Sequence, residues 1–263
     1  MSTLADRTIA ALRTNHDVLR VRVTGLSDEQ LALPSGAADW EVAQVLSHLG
    51  SGAEIALAGL RAAQAGAAAP EQDFNQRVWD RWNALSPREQ AEGFLAHDAE
   101  LVAALEALDA GQREDLTVAL GFLPDPLPLA AIAGMRLNEA ALHSWDVRVA
   151  FDPSATVAAD AAEVLVEQLS GGLAFLLGFF AKPDTLGGRQ AALAVDGTDL
   201  GLLVEDPVRL GATPPAPTGT LTAPVEALVR LIGGRLTPER TPASVAVTGD
   251  VSLDDLRRVF PGF

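Results

Sequence analysis

The chain has no cysteine and no tyrosine, a single lysine (Lys182) and two methionines among 263 residues. Without cysteine there is no disulfide, no thiolate metal site and no internal sulfur nucleophile, so any reactive sulfur has to arrive with a ligand. Positive charge is also scarce: 19 basic side chains face 35 acidic ones, for a net charge of -16 and a pI near 4.5. That balance repels phosphate backbones and anionic headgroups and excludes the basic footprint of a nucleic-acid binder. No nucleic acid and no membrane is expected among the partners. Long hydrophobic runs are missing: the longest uncharged apolar stretch, Gly171 to Ala181, falls far short of the roughly 20 residues that span a bilayer. The first twenty residues carry charges throughout and lack the apolar core of a signal peptide, which points to a cytoplasmic protein. No phosphate-binding glycine loop, Gly-x-Ser-x-Gly elbow or His-Glu-x-x-His pair occurs.

Apolar residues make up 48% of the chain, enough for one large or two modest domains at about 150 residues each. Leu4, Ile9, Leu12, Leu19 and Val23 recur at helical spacing and predict a first helix. Ser27 with Gln30 three residues on forms a capping-box pattern for a short helical turn, closed by Pro34 to Gly36. Asp39 is the expected N-cap of a helix from Trp40 to about Ala65. A helical stretch from Gln72 to Asn83 precedes Ser86, Pro87 and Glu89, the start signal of a helix to about Leu108. Gly111 to Pro128, with three prolines in five residues, reads as irregular or partly extended. Leu129 to Ala150 is the last long helix of an antiparallel four-helix bundle. The texture changes at Phe151-Asp152-Pro153. Beyond it the pattern predicts one apolar helix from Val157 to Phe180, then a hairpin of Ala191–Val195 and Leu200–Val204 about an Asp196-Gly197 turn. A strand at Thr218–Thr222, a helix from Pro224 to Ile232, a strand at Ser244–Val247 and a final helix capped by Ser252 complete an α+β fold. The expected division is 1–152 and 153–263.

Four histidines are available for chemistry. His143 follows Glu139 by four residues, a spacing that puts both side chains on one helix face. His48, flanked by Leu46 and Leu49 in the middle of the second long helix, can point inward at a neighbouring helix of a bundle. Two histidines and a carboxylate make a metal triad with an open coordination position, as in catalytic zinc, and the same set suits non-haem Fe(II). On spacing alone a Glu-x3-His pair is as well a surface pair, and a histidine on an apolar face a satisfied core residue. His16 and His97, with polar or charged neighbours, read as solvated, and His16 has in addition some claim on the bundle interior. The tryptophans at 40, 79, 82 and 145 read as core or domain-contact residues. Asp146, three residues beyond His143, is either a carboxylate supporting the histidine or polar surface.

The run Asp39-Trp40-Glu41-Val42-Ala43-Gln44-Val45-Leu46-Ser47-His48-Leu49, taken with Asn138-Glu139-x3-His143-Ser144-Trp145-Asp146, resembles the mycothiol-dependent maleylpyruvate isomerase family. The resemblance extends over the whole chain to Gly249-Asp250-x2-Leu253. It implies a DinB-like metal-binding four-helix bundle followed by a smaller C-terminal α+β domain, with zinc ligands falling on His48, Glu139 and His143. It implies mycothiol as thiol cosubstrate, a small electrophilic substrate, and a metal-bound thiolate as nucleophile for cis-trans isomerisation or S-transfer. Mycothiol is an actinobacterial thiol, and the arginine-, alanine- and glycine-rich composition agrees with a GC-rich source. The family's substrate-carboxylate arginine corresponds to Arg230 or Arg235, which the sequence does not separate. Two other functions stay open on the residues: a metal-dependent hydrolase working through metal-bound water, and a non-catalytic thiol- or metabolite-binding protein.

Overall fold

The computed structural model describes residues 2–71, 73–121 and 123–262. By contact it divides into two compact units, 1–155 and 156–263. In the first unit four long helices make the bundle: α1 (Leu4–Val23), α3 (Val42–Gln64), α5 (Pro87–Glu106) and α7 (Leu129–Val149). Each packs against two others, α3 on α5 and α7, α1 on α5 and α7, so that α3 and α7 lie side by side. The core between them is built from Leu19, Val42, Val45, Leu46, Leu49, Phe94 and Val147, the side chains that helical periodicity aligns on one face.

The helix starts follow the capping chemistry. Thr3 caps α1 and Ser27 caps the short α2 (Asp28–Leu31), with Gln30 returning the bond; Ser86 caps α5, where Pro87 occupies the first turn and Glu89 reaches back. α3 departs from expectation. Asp39 does not cap it but sits at φ 62 in a left-handed turn, and the helix begins two residues later, with Glu41 as N-cap donating its N–H to the Gln44 side chain at 2.8 Å. The cause is the bridge between Pro34 and Glu41, which keeps the chain extended up to Glu41. α4 spans Phe74–Asn83; the expected start at Gln72 lies outside the described residues. The segment expected to be irregular holds one helical turn and a half, α6 (Ala110–Asp115), capped by Asp109, and a two-residue antiparallel pair, β1 (Thr117–Val118) with β2 (Leu127–Pro128). Phe122, within that segment, lies outside the described residues.

In the second unit the apolar helix, α8 (Ala159–Leu169), stops at Leu169, not at Phe180. Gly171 and Gly172 interrupt the apolar run, and the chain resumes as a 3-10 turn (Ala174–Leu176) and α9 (Leu177–Phe180), bent by 86° from α8. Gly-Gly removes the side chains that would continue the packing and adds backbone freedom. No single helix among the described residues is long and apolar enough to cross a membrane. The sheet orders its strands β5-β4-β3-β6-β7: β3 (Ala191–Val195), β4 (Leu200–Val204), β5 (Arg209–Ala212), β6 (Gly219–Thr222) and β7 (Ala246–Gly249). All pairings are antiparallel except β3 with β6. β5 was not foreseen because Arg209-Leu-Gly-Ala carries one buried side chain, Leu210, too few to show alternation. α10 (Val225–Ile232) packs on α8, and α11 (Leu253–Val259) is capped by Ser252 with Asp255. A helical bundle followed by an α+β unit is the fold class expected.

Candidate metal centre

His48 leaves α3 toward α7, and Glu139 and His143 leave α7 toward α3. The structure brings all three together: one ligand atom from each lies within 4.8 Å of the others. His48 Nε2 is 2.9 Å from Glu139 Oε2, and His143 Nε2 is 3.6 Å from the same oxygen. The imidazole rings meet edge to face, 4.7 Å between centroids. His143 is buried, whereas the His48 and Glu139 side chains keep 36% and 34% of their surface, so solvent or a ligand reaches the cluster.

Behind His143 stands Asp146, fully buried, with Oδ2 2.8 Å from His143 Nδ1. That bond commits Nδ1 and leaves Nε2 facing Glu139, the second-carboxylate arrangement that fixes a ligating imidazole. Asp146 is in turn held by the loop before α3. The Gly36 N–H donates to the Asp146 carbonyl at 2.8 Å, and a Cβ on Gly36 would sit 2.8 Å from Asp146 Cα, so only glycine permits this approach. The same loop delivers Trp40, whose indole stacks on His143 (5.8 Å, 19° between planes) and leans on His48 at 5.3 Å.

Burial works against an ionised Glu139, but hydrogen bonds and charge from His143 and His48 outweigh it and hold the carboxyl below its ordinary range. Burial likewise disfavours a charged His143; the bonds to Asp146 and Glu139 overcome it and raise the imidazole pKa. The set is therefore one carboxylate anion and two imidazoles around a common point, a donor chemistry that fits a divalent cation of the zinc or Fe(II) kind.

Beside His48 opens a cavity of about 450 Å³, lined by Gln44, Ser47 and Ser51 of α3, by Trp40, by Trp79 and Asn83 of α4 and by Gln90 of α5. The tryptophans separate accordingly. Trp82 and Trp145 are core residues, their indole N–H groups bonded to Glu54 and to the Ala155 carbonyl, while Trp79 is 43% exposed. Trp79, read from the sequence with the other tryptophans as a core or domain-contact residue, lies instead on the cavity wall; the available signal was its spacing of four from Asn83 on a short, polar helix.

His16 is not solvated. It is 2% exposed, with Nδ1 2.7 Å from Asp98 Oδ2, and Asp98 also takes a 2.7 Å bond from Arg136. The polar neighbours Asn15 and Asp17 misled because the partner comes from another helix, 82 residues along the chain. His97 is half-buried, its ring 5.5 Å from that of Trp82. Arg230 and Arg235 are both buried in the second unit. Arg230 holds Glu226 with Nε and Nη2 and donates Nη1 to the Arg240 carbonyl; Arg235 donates Nη1 to the Gly233 carbonyl at 2.6 Å.

A four-helix bundle with two histidines and a glutamate converging from adjacent helices, followed by an α+β unit, defines a class of two-unit proteins with a bundle-borne donor triad. Within it, residues 12–148, just over half of the chain, match the family described as Mycothiol maleylpyruvate isomerase N-terminal domain, and the chain belongs to that family. Among solved structures, the mycothiol-dependent maleylpyruvate isomerase shares the fold with a TM-score of 0.62 at 16% identity, covering 95% of this chain and 98% of that one. A histidine-to-alanine mutant of that isomerase aligns at 17% identity with the same TM-score and coverage. No curated protein matches the chain.

Proposed function

We propose that the chain is a mycothiol-dependent isomerase of a small electrophilic substrate, with a divalent ion held by His48, Glu139 and His143. The observation that carries the reading is the convergence of those three donor atoms beside an open cavity, in a chain that belongs to this family and contains no sulfur nucleophile of its own. A divalent ion at the triad supplies the positive charge that keeps a thiol ionised at neutral pH, below the free value near about 8.5. The residues do the rest of the positioning. Asp146 holds His143 in the tautomer that presents Nε2, Trp40 covers the imidazole face and keeps water from it, and the partly exposed edges of His48 and Glu139 leave the approach to a ligand open. The cavity beside them gives the thiol a place to lie. Either Arg230 or Arg235 is the proposed grip for a substrate carboxylate, since a guanidinium offers a bidentate fork, Arg230 only by releasing the Glu226 carboxylate that its fork now holds.

The test is turnover of maleylpyruvate by zinc-loaded protein with and without mycothiol, the products followed by NMR. A thiol-dependent appearance of the trans isomer, with mycothiol recovered unchanged, supports the reading. A stable thiol adduct makes the protein an S-transferase. Hydrolysis that needs no thiol makes it a hydrolase, and thiol binding without turnover makes it a binding protein.

A further inference from the structure

α7 carries Arg136, Glu139 and His143 at spacings of three and four, which places the three side chains on one face of the helix. On α3, Leu49 follows His48 and Gly52 lies four residues beyond it. The donor triad and the Arg136 guanidinium therefore occupy successive turns of the same contact between two helices. Arg136 reaches across it. Nη2 donates to the Leu49 carbonyl at 2.9 Å and to Asp98 Oδ1 of α5 at 2.7 Å, and Asp98 Oδ2 lies 2.7 Å from His16 Nδ1 of α1. All three side chains are buried. The approach depends on Gly52, where a Cβ would lie 3.0 Å from Arg136 Nη1, closer than atoms in ordinary contact.

Stability is a poor reason for this arrangement. A glycine inside a helix costs about 1 kcal/mol against alanine, and a buried ion pair is commonly no better than apolar side chains of the same volume. Arg136 Nε, moreover, is buried with no hydrogen-bond partner among the described residues. The best-attested use of such groups is to select one packing register. Here register has a consequence. The triad takes one donor from α3 and two from α7, so a slide of α3 along α7 moves His48 relative to Glu139 and His143 and leaves the spacing of the last two unchanged. The attraction of the apolar core is non-directional. A hydrogen bond to one particular carbonyl is directional, and it weakens steeply with misalignment.

We propose that Arg136, oriented by Asp98 and His16 and admitted by Gly52, is a positioning residue for the donor triad: its bond to the Leu49 carbonyl sets the register of α3 on α7, and with it the place of His48 against Glu139 and His143. The proposal rests on the metal-site reading above and adds to it residues that touch neither metal nor substrate.

The experiment separates register from stability with the triple variant Arg136→Met, Asp98→Val, His16→Leu, in which no charge is stranded. Urea unfolding of the metal-free proteins compares their stabilities, chelator competition measures zinc affinity, and the visible spectrum of the cobalt-loaded proteins reports ligand geometry. The triple variant is expected to unfold near the unaltered chain, yet to bind zinc about tenfold more weakly, the equivalent of roughly 1.4 kcal/mol, and to show an altered cobalt spectrum. Arg136→Lys, which keeps a charge beside Asp98 but has no fork, is expected to fall between Arg136→Met and the unaltered chain in zinc affinity. Zinc affinity and cobalt spectrum unchanged in the triple variant overturn the proposal. If that variant does not fold, Arg136→Met alone carries the comparison by the same criterion, at a temperature where its circular dichroism matches that of the unaltered chain. A further measurement needs no metal: the nuclear Overhauser effect between the ring protons of His48 and His143, whose centroids lie 4.7 Å apart. If the unaltered chain binds no zinc, the metal-site reading fails and this measurement alone decides the register. An effect weakened in the variant supports the positioning role, and one of equal intensity refutes it.

Discussion

His143 illustrates how a single side chain acquires a role through its neighbours. Its Nδ1 is fixed by Asp146, its Nε2 faces Glu139 and one ring face is covered by Trp40, so each part of the imidazole is already assigned. Replacing His48 or His143 by alanine leaves two donors, and the purified variants are expected to lose the bound divalent ion, read by metal analysis; full occupancy in both would falsify the triad. Asp146→Asn keeps the shape but replaces the acceptor, and metal affinity is expected to drop on the order of 10–100-fold, measured by chelator competition. The pairing of Glu139 with His143 was legible because i,i+4 spacing is a local property of the chain. The part played by Asp146 was half legible, from its spacing of three. His16 was misread because burial and the Asp98 partner depend on how α1 meets α5, which no local window contains.

At the level of elements, α1, α3, α5 and α7 are tied by a polar network as well as by apolar packing. Arg136 of α7 donates to the Leu49 carbonyl of α3 and to Asp98 of α5, Asp98 accepts from His16 of α1, and Asn15 of α1 donates to the Ala140 carbonyl of α7. Leu49 follows His48 and Ala140 follows Glu139, so the network runs through the turns that carry the donor triad. A buried charge left without its partner is costly, and Arg136→Met is expected to destabilise the protein by about 3–5 kcal/mol in denaturant unfolding. Replacing Arg136, Asp98 and His16 together by apolar residues is expected to recover most of that loss, because no charge is then stranded. Recovery failing to appear would mean that packing, not charge, sets the cost. The helices themselves were readable from caps and periodicity, with ends displaced by features of another origin: the Pro34–Glu41 bridge delays α3, and Gly171-Gly172 splits the apolar run that looked like one helix. Strand β5 carries almost no pattern of its own and exists because β4 offers it an edge.

For the molecule as a whole, acid is expected to act in two opposite ways. At neutral pH a net charge of -16 opposes compaction, and protonation of exposed carboxylates toward the pI near 4.5 relieves that repulsion; added salt does the same by screening within about 8 Å. Asp98 works in the other direction. Burial alone would raise its pKa, but hydrogen bonds and charge from His16 and Arg136 overcome the penalty and hold it below the usual value. Asp255 is held low by Arg189 and the Ser252 cap, and Asp6 is lowered to about 2 by Arg113 and the Thr3 cap. A carboxyl with a lower pKa in the folded chain binds fewer protons there than when unfolded, so its contribution is complete above the unfolded value near about 3.9 and disappears as pH falls below it. Stability is therefore expected to hold or rise between pH 7 and about 5 and to fall steeply below about 4. Urea unfolding of the metal-free protein across that range measures the curve. Asp98→Asn separates the contributions: it strands Arg136 and lowers stability at pH 7, but with no carboxyl at 98 to protonate its acid limb is flatter than that of the unaltered chain. An acid limb of equal slope in the two proteins would show that the buried Asp98 pair contributes nothing to acid unfolding and would leave the other carboxyls held low, Asp6 and Asp255 among them, as its source.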